Sequence, residues 1–228
     1  MSDLWIGAYS IIRTGDLVYV GPVYKKTLGI AIERKTVEFG FEPDEWNILI
    51  DGKIETYSMP YISLYSDLTT MLDEEKLDAV SIASPTFLHA SQTIEALDAG
   101  LHVFCEKPMA LNSDDCQRMI ESANQNGKTL QVGHCIRFWP EYVKAKEIID
   151  SQKYGKVLAA TFQRLSLTPT WSWDNCFLDG KRSGGAMLDL HIHDTDYIQY
   201  VFGMPKAVFS QGMIGPSMDY DHCVTQYL

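Results

Sequence analysis

A run of glycines, carboxylates and histidines between Gly184 and Asp196 contains the residue types best suited to proton transfer. On a helix, Asp189, His193 and Asp196 are spaced i, i+4 and i+7, so one face would present a histidine between two carboxylates. A carboxylate that accepts a hydrogen bond from one imidazole nitrogen fixes the tautomer and leaves the other nitrogen free to move a proton near neutral pH. The spacing predicts an acid/base group, and an acidic helix cluster without chemistry is the simpler alternative.

The pair His191 and His193 offers another interpretation, as the H-x-H motif of a metal-dependent hydrolase. That motif needs a strand, where residues two apart point in the same direction. The segment is instead predicted to be a helix, on which such residues diverge, and His222 is the only histidine further along the chain. We therefore predict no metal site.

Two further motifs follow the predicted buried strands at 79–84 and 102–105. In an open parallel sheet, ligands bind at the edge formed by the carboxyl ends of the strands. A lysine there can place a charge with three donors on a hydroxyl, and a neighbouring glutamate can orient it. The alternatives are a plain strand-to-helix turn and a solvated Glu–Lys pair of little energetic value. The motif residues are Ser84, Pro85, Thr86 and His89 after the first strand, and Glu106, Lys107 and Pro108 after the second.

From Tyr65 to Val132 the pattern alternates between helix and strand. Ser66 is a candidate N-cap for a first helix, Gly100 ends a second, and Asn112 or Ser113 begins a third that closes at Gly127. Strands connected in this way pair in parallel through right-handed crossovers. The predicted fold class is therefore α/β, with a Rossmann-like, doubly wound parallel sheet.

The pattern changes after Gly133 and predicts a second, α+β domain. Its elements are a helix from Pro140 to about residue 150, a strand at 157–165, a helix at 184–202 whose paired glycines allow close approach of a ligand or another segment, and a strand at the end of the chain. In the first sixty residues, only 17–20 and 47–50 have strand character.

Net charge, apolar stretches and cysteine content limit the kinds of partner and the cellular location expected for the chain. The 228 residues carry a formal charge of −11, which argues against nucleic acid or an anionic membrane as a partner. No apolar stretch is long enough to span a bilayer, and the start lacks the features of a signal peptide. Five cysteines without a C-x-x-C pair are typical of reduced thiols, so the cytoplasm is the expected location.

Taken in order, the three motifs resemble one family closely, the Gfo/Idh/MocA oxidoreductases, which act on sugars, inositols and related polyols with a nicotinamide dinucleotide. The resemblance runs from about Tyr65 to the end of the chain and rests on 77–85, on 99–108 and on the Gly-Gly-x3-Asp-x3-His-x2-Asp pattern at 184–196. It implies hydride transfer between a sugar or polyol substrate and NAD or NADP as cofactor. Members of the family often use the C-terminal sheet for oligomer contacts, so a homo-oligomer is an open expectation that the short C-terminal sheet here makes doubtful.

The resemblance also implies roles for individual residues. Lys107 would lie beside the nicotinamide and the substrate, His193 would be the general acid/base, and Asp189 would share the proton or hydrogen-bond the reacting hydroxyl. The residues expected to line the cofactor are Ser84, Pro85, Thr86, His89, Glu106, Lys107 and Pro108. Candidates for the sugar pocket are Arg137, Trp139, Trp171 and Trp173, for which ordinary packing at a domain seam is at least as good an interpretation.

Two features depart from the family pattern. A dinucleotide fold carries G-x-G-x-x-G at its first turn, yet no two of the sixteen glycines are two residues apart. The C-terminal domain also stops early. We predict a Rossmann-like domain over 1–134, atypical over 1–64, and a truncated α+β domain of open antiparallel sheet type over 135–228. Three explanations stay open: a divergent first half that binds NAD(P), a replaced or mistranslated first half, and a non-catalytic binding or scaffold protein that keeps the fold.

Overall fold

The computed structural model describes residues 9–13, 16–20, 46–50, 53–57, 65, 67–169 and 172–228. The chain divides into two compact units. Within the described residues, the first unit comprises those up to 84 together with 88–105 and 116–131, and the second comprises 85–87, 106–115 and 132–228. Each unit is considered by itself below.

The described strands of the first half are β1 (Tyr9–Arg13), β2 (Asp16–Val20), β3 (Trp46–Ile50), β4 (Lys53–Tyr57), β5 (Ala79–Ile82), β6 (His102–Cys105) and β7 (Leu130–Val132). Five of them form one sheet in the order β2-β1-β5-β6-β7. β5 and β6 pair in parallel, as predicted, whereas β1 runs antiparallel to both β2 and β5. β3 and β4 form a separate antiparallel hairpin. The strand character of 17–20 and 47–50 is therefore confirmed.

The helices between these strands are α1 (Leu68–Glu74), α2 (Thr86–Asp98) and α3 (Ser113–Asn126). The side chain of Asp67 caps α1 by accepting from the Thr70 amide, so the prediction of Ser66 was wrong by one residue. Glycines end α2 and α3 as predicted, because Gly100 and Gly127 have φ of +85° and +62°, a conformation that costs glycine little.

One face of the β5–β6 pair lies in the core of the first unit. Val80 and Ile82 of β5 and Val103 and Cys105 of β6 are buried, whereas the residues that alternate with them are more exposed. Leu97 of α2 and Met119 of α3 are also fully buried. Burial of these apolar side chains holds the parallel strands in register, and register fixes where their carboxyl ends lie.

The elements of the second unit are α4 (Pro140–Ser151), α5 (Gly180–Ser183), α6 (Gly185–Asp189), α7 (Ile192–Phe202), β8 (Val208–Ile214) and β9 (Tyr220–Tyr227), with 3-10 turns at Cys135–Phe138 and Trp173–Leu178. β8 and β9 form an antiparallel hairpin. α4 and the last strand were predicted. No helix in the described part of the chain is long and apolar enough to cross a membrane.

Two predictions for this unit were wrong. The helix expected over 184–202 is divided into α6 and α7, with Leu190 and His191 between them. The strand expected at 157–165 is irregular, and none of the described strands pairs with it. An extended segment becomes a strand only when its backbone groups find a partner edge, and alternating side chains alone do not supply one.

Candidate functional site

Lys107 and Asp189, 82 positions apart in the chain, form an ion pair. Lys107 lies two residues beyond β6, and its peptide bond to Pro108 is cis. Its Nζ donates to Oδ1 of Asp189 at 2.7 Å and to the backbone carbonyl of the same residue at 2.9 Å. About one fifth of each side chain is exposed, so the pair is accessible to a ligand.

The paired glycines bring Asp189 to this position. Gly184, the N-cap of α6, has φ of +78°, and a Cβ there would lie 2.5 Å from a side-chain carbon of Leu188. Gly185 has φ of +63°, and a Cβ there would lie 3.1 Å from the carbonyl of Tyr220 in β9. Of the two interpretations of these glycines, close approach of another chain segment is thus the one found.

His193 is half-buried in the first turn of α7. Its Nδ1 is buried and has no hydrogen-bond partner among the described residues. Nε2 is not one of these buried, unpartnered atoms. Burial lowers the pKa of His193 to about 4, and the positive charges of Lys107 and Arg164 add to the effect against Asp189 and Asp194. The ring is therefore neutral at pH 7 and able to accept a proton.

The predicted carboxylate–imidazole–carboxylate arrangement on one helix face was wrong. Asp189 and His193 lie on different helices, and Asp189 binds Lys107. Asp196 accepts two hydrogen bonds from Arg137, of which the one from Nε measures 2.8 Å. Each carboxylate therefore binds a cation, and within the described part of the chain the buried Nδ1 of His193 has no hydrogen-bond partner.

Arg137 also stacks on the ring of Tyr200, with the guanidinium carbon 4.8 Å from the ring centre. The hydrogen bonds to Asp196 raise the pKa of Arg137, so the guanidinium stays charged. Its role in a sugar pocket remains a prediction.

A third ion pair, whose carboxylate is buried, was not predicted. Asp194 is 6% exposed and accepts two hydrogen bonds of 2.9 Å from Arg164, which also donates to the hydroxyl of Tyr142. Arg164 lies in the irregular segment that was expected to form a strand, thirty residues from Asp194. No local sequence pattern signals a pair at that separation.

The turn after β5 is held by its own side chains. The hydroxyl of Ser84 donates to Oε1 of Gln92 at 2.6 Å, and Nε2 of His89 lies 2.8 Å from the carbonyl of Ser84. His89 is only 1% exposed and Thr86 7%. These contacts stabilise the turn, and the roles of these residues towards a cofactor remain predictions, as do those of Pro85, Glu106 and Pro108.

The tryptophans give less information. Trp139 is 43% exposed and meets Tyr142 edge to face. Trp171 and the side chain of Trp173 lie outside the described residues.

Histidines and cysteines form no metal site in the described part of the chain, where no group of three or more His, Cys, Asp and Glu residues is placed to hold an ion. His191 instead lies 3.0 Å from the hydroxyl of Thr225. Of the cysteines, Cys105 and Cys176 are buried.

Two models of one protein family match the chain. The model for the Gfo/Idh/MocA oxidoreductases, described as an NAD-binding Rossmann fold, matches residues 53–134, and the model for the C-terminal domain of the same family matches residues 142–226. Together they cover nearly three quarters of the chain.

Curated relatives include a 2,7-anhydro-N-acetylneuraminate hydratase from Mediterraneibacter gnavus, 35% identical over 64% of this chain and 39% of its own length. A myo-inositol 2-dehydrogenase from Thermotoga maritima is 35% identical over 66% of this chain and 44% of its own, and a D-glucoside 3-dehydrogenase from Escherichia coli is 32% identical over 64% and 41%. The chain thus spans less than half the length of these relatives.

Solved structures agree in fold. A WlbA dehydrogenase from Bordetella pertussis, in complex with NADH and UDP-GlcNAcA, superposes with a TM-score of 0.62 at 25% identity, over 72% of this chain and 49% of its own. A myo-inositol 2-dehydrogenase from Lactobacillus plantarum has a TM-score of 0.59 at 26% identity, over 72% and 51%. The predicted fold class is confirmed, with β1 and β2 as its antiparallel departure.

Proposed function

Because the chain belongs to the Gfo/Idh/MocA family of oxidoreductases, we propose that it transfers a hydride between NAD or NADP and a hydroxyl-bearing carbon of a sugar, inositol or related polyol. NAD or NADP is the cofactor expected of the matched NAD-binding Rossmann fold. Dehydrogenases of glucosides and of inositol among the relatives support this substrate class.

The observation that supports the chemistry best is the Lys107–Asp189 ion pair together with the neutral imidazole of His193. In the neutral ring, the buried Nδ1 carries the hydrogen and Nε2 accepts the proton of the reacting hydroxyl. Lys107 donates a hydrogen bond to the same oxygen as negative charge develops on it, and Asp189 holds the ammonium in position. All three side chains belong to the second unit.

The hydroxyl proton moves to Nε2 of His193, the electron pair of the C–H bond leaves with its hydrogen as hydride, and a carbonyl group remains. The nicotinamide, when bound, supplies the acceptor for that hydride. Residues that would hold the cofactor are Ser84, Pro85, Thr86, His89, Glu106, Lys107 and Pro108.

Nε2 is the nitrogen of His193 open to a ligand, because Nδ1 is buried and has no hydrogen-bond partner among the described residues. The ammonium of Lys107, whose side chain is about one fifth exposed, suits an oxygen that becomes negatively charged.

The test is a turnover assay of the full chain with NAD⁺ or NADP⁺. The substrates are myo-inositol, D-glucose and methyl β-D-glucoside, and the absorbance of the reduced nicotinamide measures the rate. We expect reduction with at least one pair. Lys107→Met and His193→Asn should each lower kcat by about 10²–10⁴-fold, the range for loss of an acid/base group. Lys144→Met, which removes a surface lysine paired with Glu147, is the matched control and should retain activity.

A non-catalytic scaffold is the competing function, and the missing G-x-G is the feature that favours it. Calorimetric titration with NAD⁺, NADH, NADP⁺ and NADPH separates the two functions. The proposed activity requires binding of at least one of the four at millimolar concentration or below, and absence of any binding would contradict it.

A further inference from the structure

His134 lies where the chain leaves the sheet after β7. Its amide donates to the carbonyl of Val132 at 2.9 Å, and the next amide, of Cys135, donates to that of Gly133 at the same distance. These two successive tight turns follow the carboxyl end of the strand. In an open α/β sheet, that is the edge where ligands bind.

The ring of His134 has one buried and one accessible nitrogen. Nδ1 is buried and has no hydrogen-bond partner in the described part of the chain, whereas Nε2 is not buried in this way. Nδ1 faces a carboxylate without reaching it, since Oδ1 of Asp196 is 3.8 Å away. Both oxygens of that carboxylate already accept hydrogen bonds from Arg137.

These neighbours fix the state of the imidazole. Burial lowers the pKa of His134, and Arg137 and Lys107 lower it further, against Asp196 and Glu106. A neutral ring carries one N–H, and the nearby carboxylate attracts it to Nδ1, since a proton on Nε2 would turn the Nδ1 lone pair towards negative charge. Nε2 is then a hydrogen-bond acceptor without a partner among the residues that the structure describes.

Lys107 connects His134 with the proposed catalytic group. Its positive charge lowers the pKa of both His134 and His193, so the ammonium is within electrostatic range of both rings. A ligand oxygen bound at Lys107 would therefore have two neutral imidazoles in its neighbourhood, of which the proposed reaction uses one.

We propose that His134 is a substrate-binding residue, whose Nε2 accepts a hydrogen bond from a hydroxyl of the polyol other than the one that is oxidised. Asp196, held by Arg137, orients the ring by facing its Nδ1–H, and the 3.8 Å separation shortens when the ligand binds, as apo hydrogen bonds at such sites commonly do. The inference rests on the proposed function for the identity of the ligand as a polyol.

The first measurement needs no ligand. In protein labelled with ¹⁵N-histidine at pH 7.5, long-range ¹H–¹⁵N correlation spectra report which ring nitrogen carries the hydrogen, and His134→Gln assigns the signal. We expect a neutral ring protonated at Nδ1. A ring protonated at Nε2, or a charged ring, overturns the proposal.

The second measurement adds NADH and one probe at a time from myo-inositol, D-glucose and methyl β-D-glucoside. At least one probe should shift the Nε2 signal of His134 in the direction of hydrogen-bond acceptance. If none does so at saturating concentration, the proposal is wrong. A shift without turnover in the assay above would overturn hydride transfer and leave the binding role intact, so the two failures are distinguishable.

Variants then test the role by affinity. His134→Leu should raise the KM or Kd of the responding probe about 3–10-fold, the effect of one neutral hydrogen bond, with kcat changed less than about twofold. His134→Gln keeps a polar atom near the position of Nε2 and should recover most of the affinity. His222→Leu, at an exposed histidine, is the matched control. Equal affinity of His134→Leu and wild type for every probe would contradict the role, as would a loss confined to NADH.

Discussion

Lys107 directs two hydrogen bonds from its ammonium to a single residue, the carboxylate and the carbonyl of Asp189. Partly exposed ion pairs of this kind contribute only about 0–1 kcal/mol to stability. The value of the pair is therefore positional: it fixes a flexible four-carbon side chain at the position where the proposed reaction needs a donor.

The pH dependence of the proposed oxidation follows from His193. Nε2 accepts a proton only while the ring is neutral, and a pKa of about 4 keeps it neutral throughout the neutral range. We expect kcat/KM for polyol oxidation to rise with pH through about 4 and to be level above about pH 6. A pH–rate profile under subsaturating substrate tests this, and an acid limb near the ordinary histidine value of 6.5 would contradict it.

Individual residues were predictable where a motif places them at a strand end. Lys107 lies two residues beyond β6, so its position near the carboxyl end of that strand could be inferred from the sequence. The partners of Asp189, Asp194 and Asp196 could not, because each binds a cation 30 to 82 positions away and charge alone does not indicate which cation. His134 was missed because no motif marks it. The proposal for it depends on a buried nitrogen without a partner among the described residues, which only the structure shows.

At the scale of elements, α7 depends on an anchor outside its own sequence. Asp194 in its first turn is held by both arms of the Arg164 guanidinium, which comes from the irregular segment after α4. Bidentate geometry of this type restricts orientation as well as distance. Because His193 is the neighbour of Asp194, the same contact restrains the proposed proton acceptor.

Arg164→Met should therefore destabilise the protein and alter His193 together. Loss of the cation leaves Asp194 buried without its partner, for which we expect a loss of about 1–3 kcal/mol in the free energy of unfolding. It also removes a positive charge that lowers the pKa of His193, so the acid limb of the rate profile should move to higher pH. Urea denaturation and the pH profile are the measurements.

Arg164→Met combined with Asp194→Asn is the informative control. The double variant no longer buries an unpaired charge and should recover part of the lost stability. Arg182→Met removes an arginine whose ion pair with Asp174 is largely exposed on the carboxylate side, and it should cost less. A single Arg164→Met variant as stable as wild type would show that the pair is not an anchor.

The ends of helices were predictable where a glycine or a proline marks them. α2 and α3 end at glycines with positive φ, and α4 begins at Pro140, a residue suited to a first helical turn. The break at Leu190 and His191 has no such signal, because neither residue is glycine or proline. The strand predicted at 157–165 depended on a partner edge, which no pattern within the segment can supply.

At the scale of the whole chain, the part that matches the family models has the expected parallel strands, whereas β1, which precedes it, is antiparallel. The family models match from residue 53 onwards, and there the parallel strands β5 and β6 follow the predicted order. β1 and β2 form an antiparallel hairpin at the sheet edge, consistent with a sequence that lacks the G-x-G of a first strand-to-helix turn. The alternation of helix and strand after Tyr65 predicted the parallel strands, whereas the part of the chain that contains β1 and β2 shows no such alternation and its antiparallel pairing was not predicted.

Three histidines link the stability of the second unit to pH in the same direction. Burial lowers the pKa of His134, His191 and His193 below the ordinary value of 6.5, to about 4 for His193. Between these values the unfolded chain binds protons that the folded chain does not. The stability that these groups contribute is therefore complete above pH 6.5 and falls as the pH decreases towards 4.

His193→Gln should remove part of that decrease in the free energy of unfolding, about 1–2 kcal/mol between pH 7 and 4 after allowance for its half-exposed ring. Urea unfolding of wild type and variant at several pH values measures the difference. Parallel curves for wild type and His193→Gln would mean that His193 is as easily protonated in the folded chain as in the unfolded one.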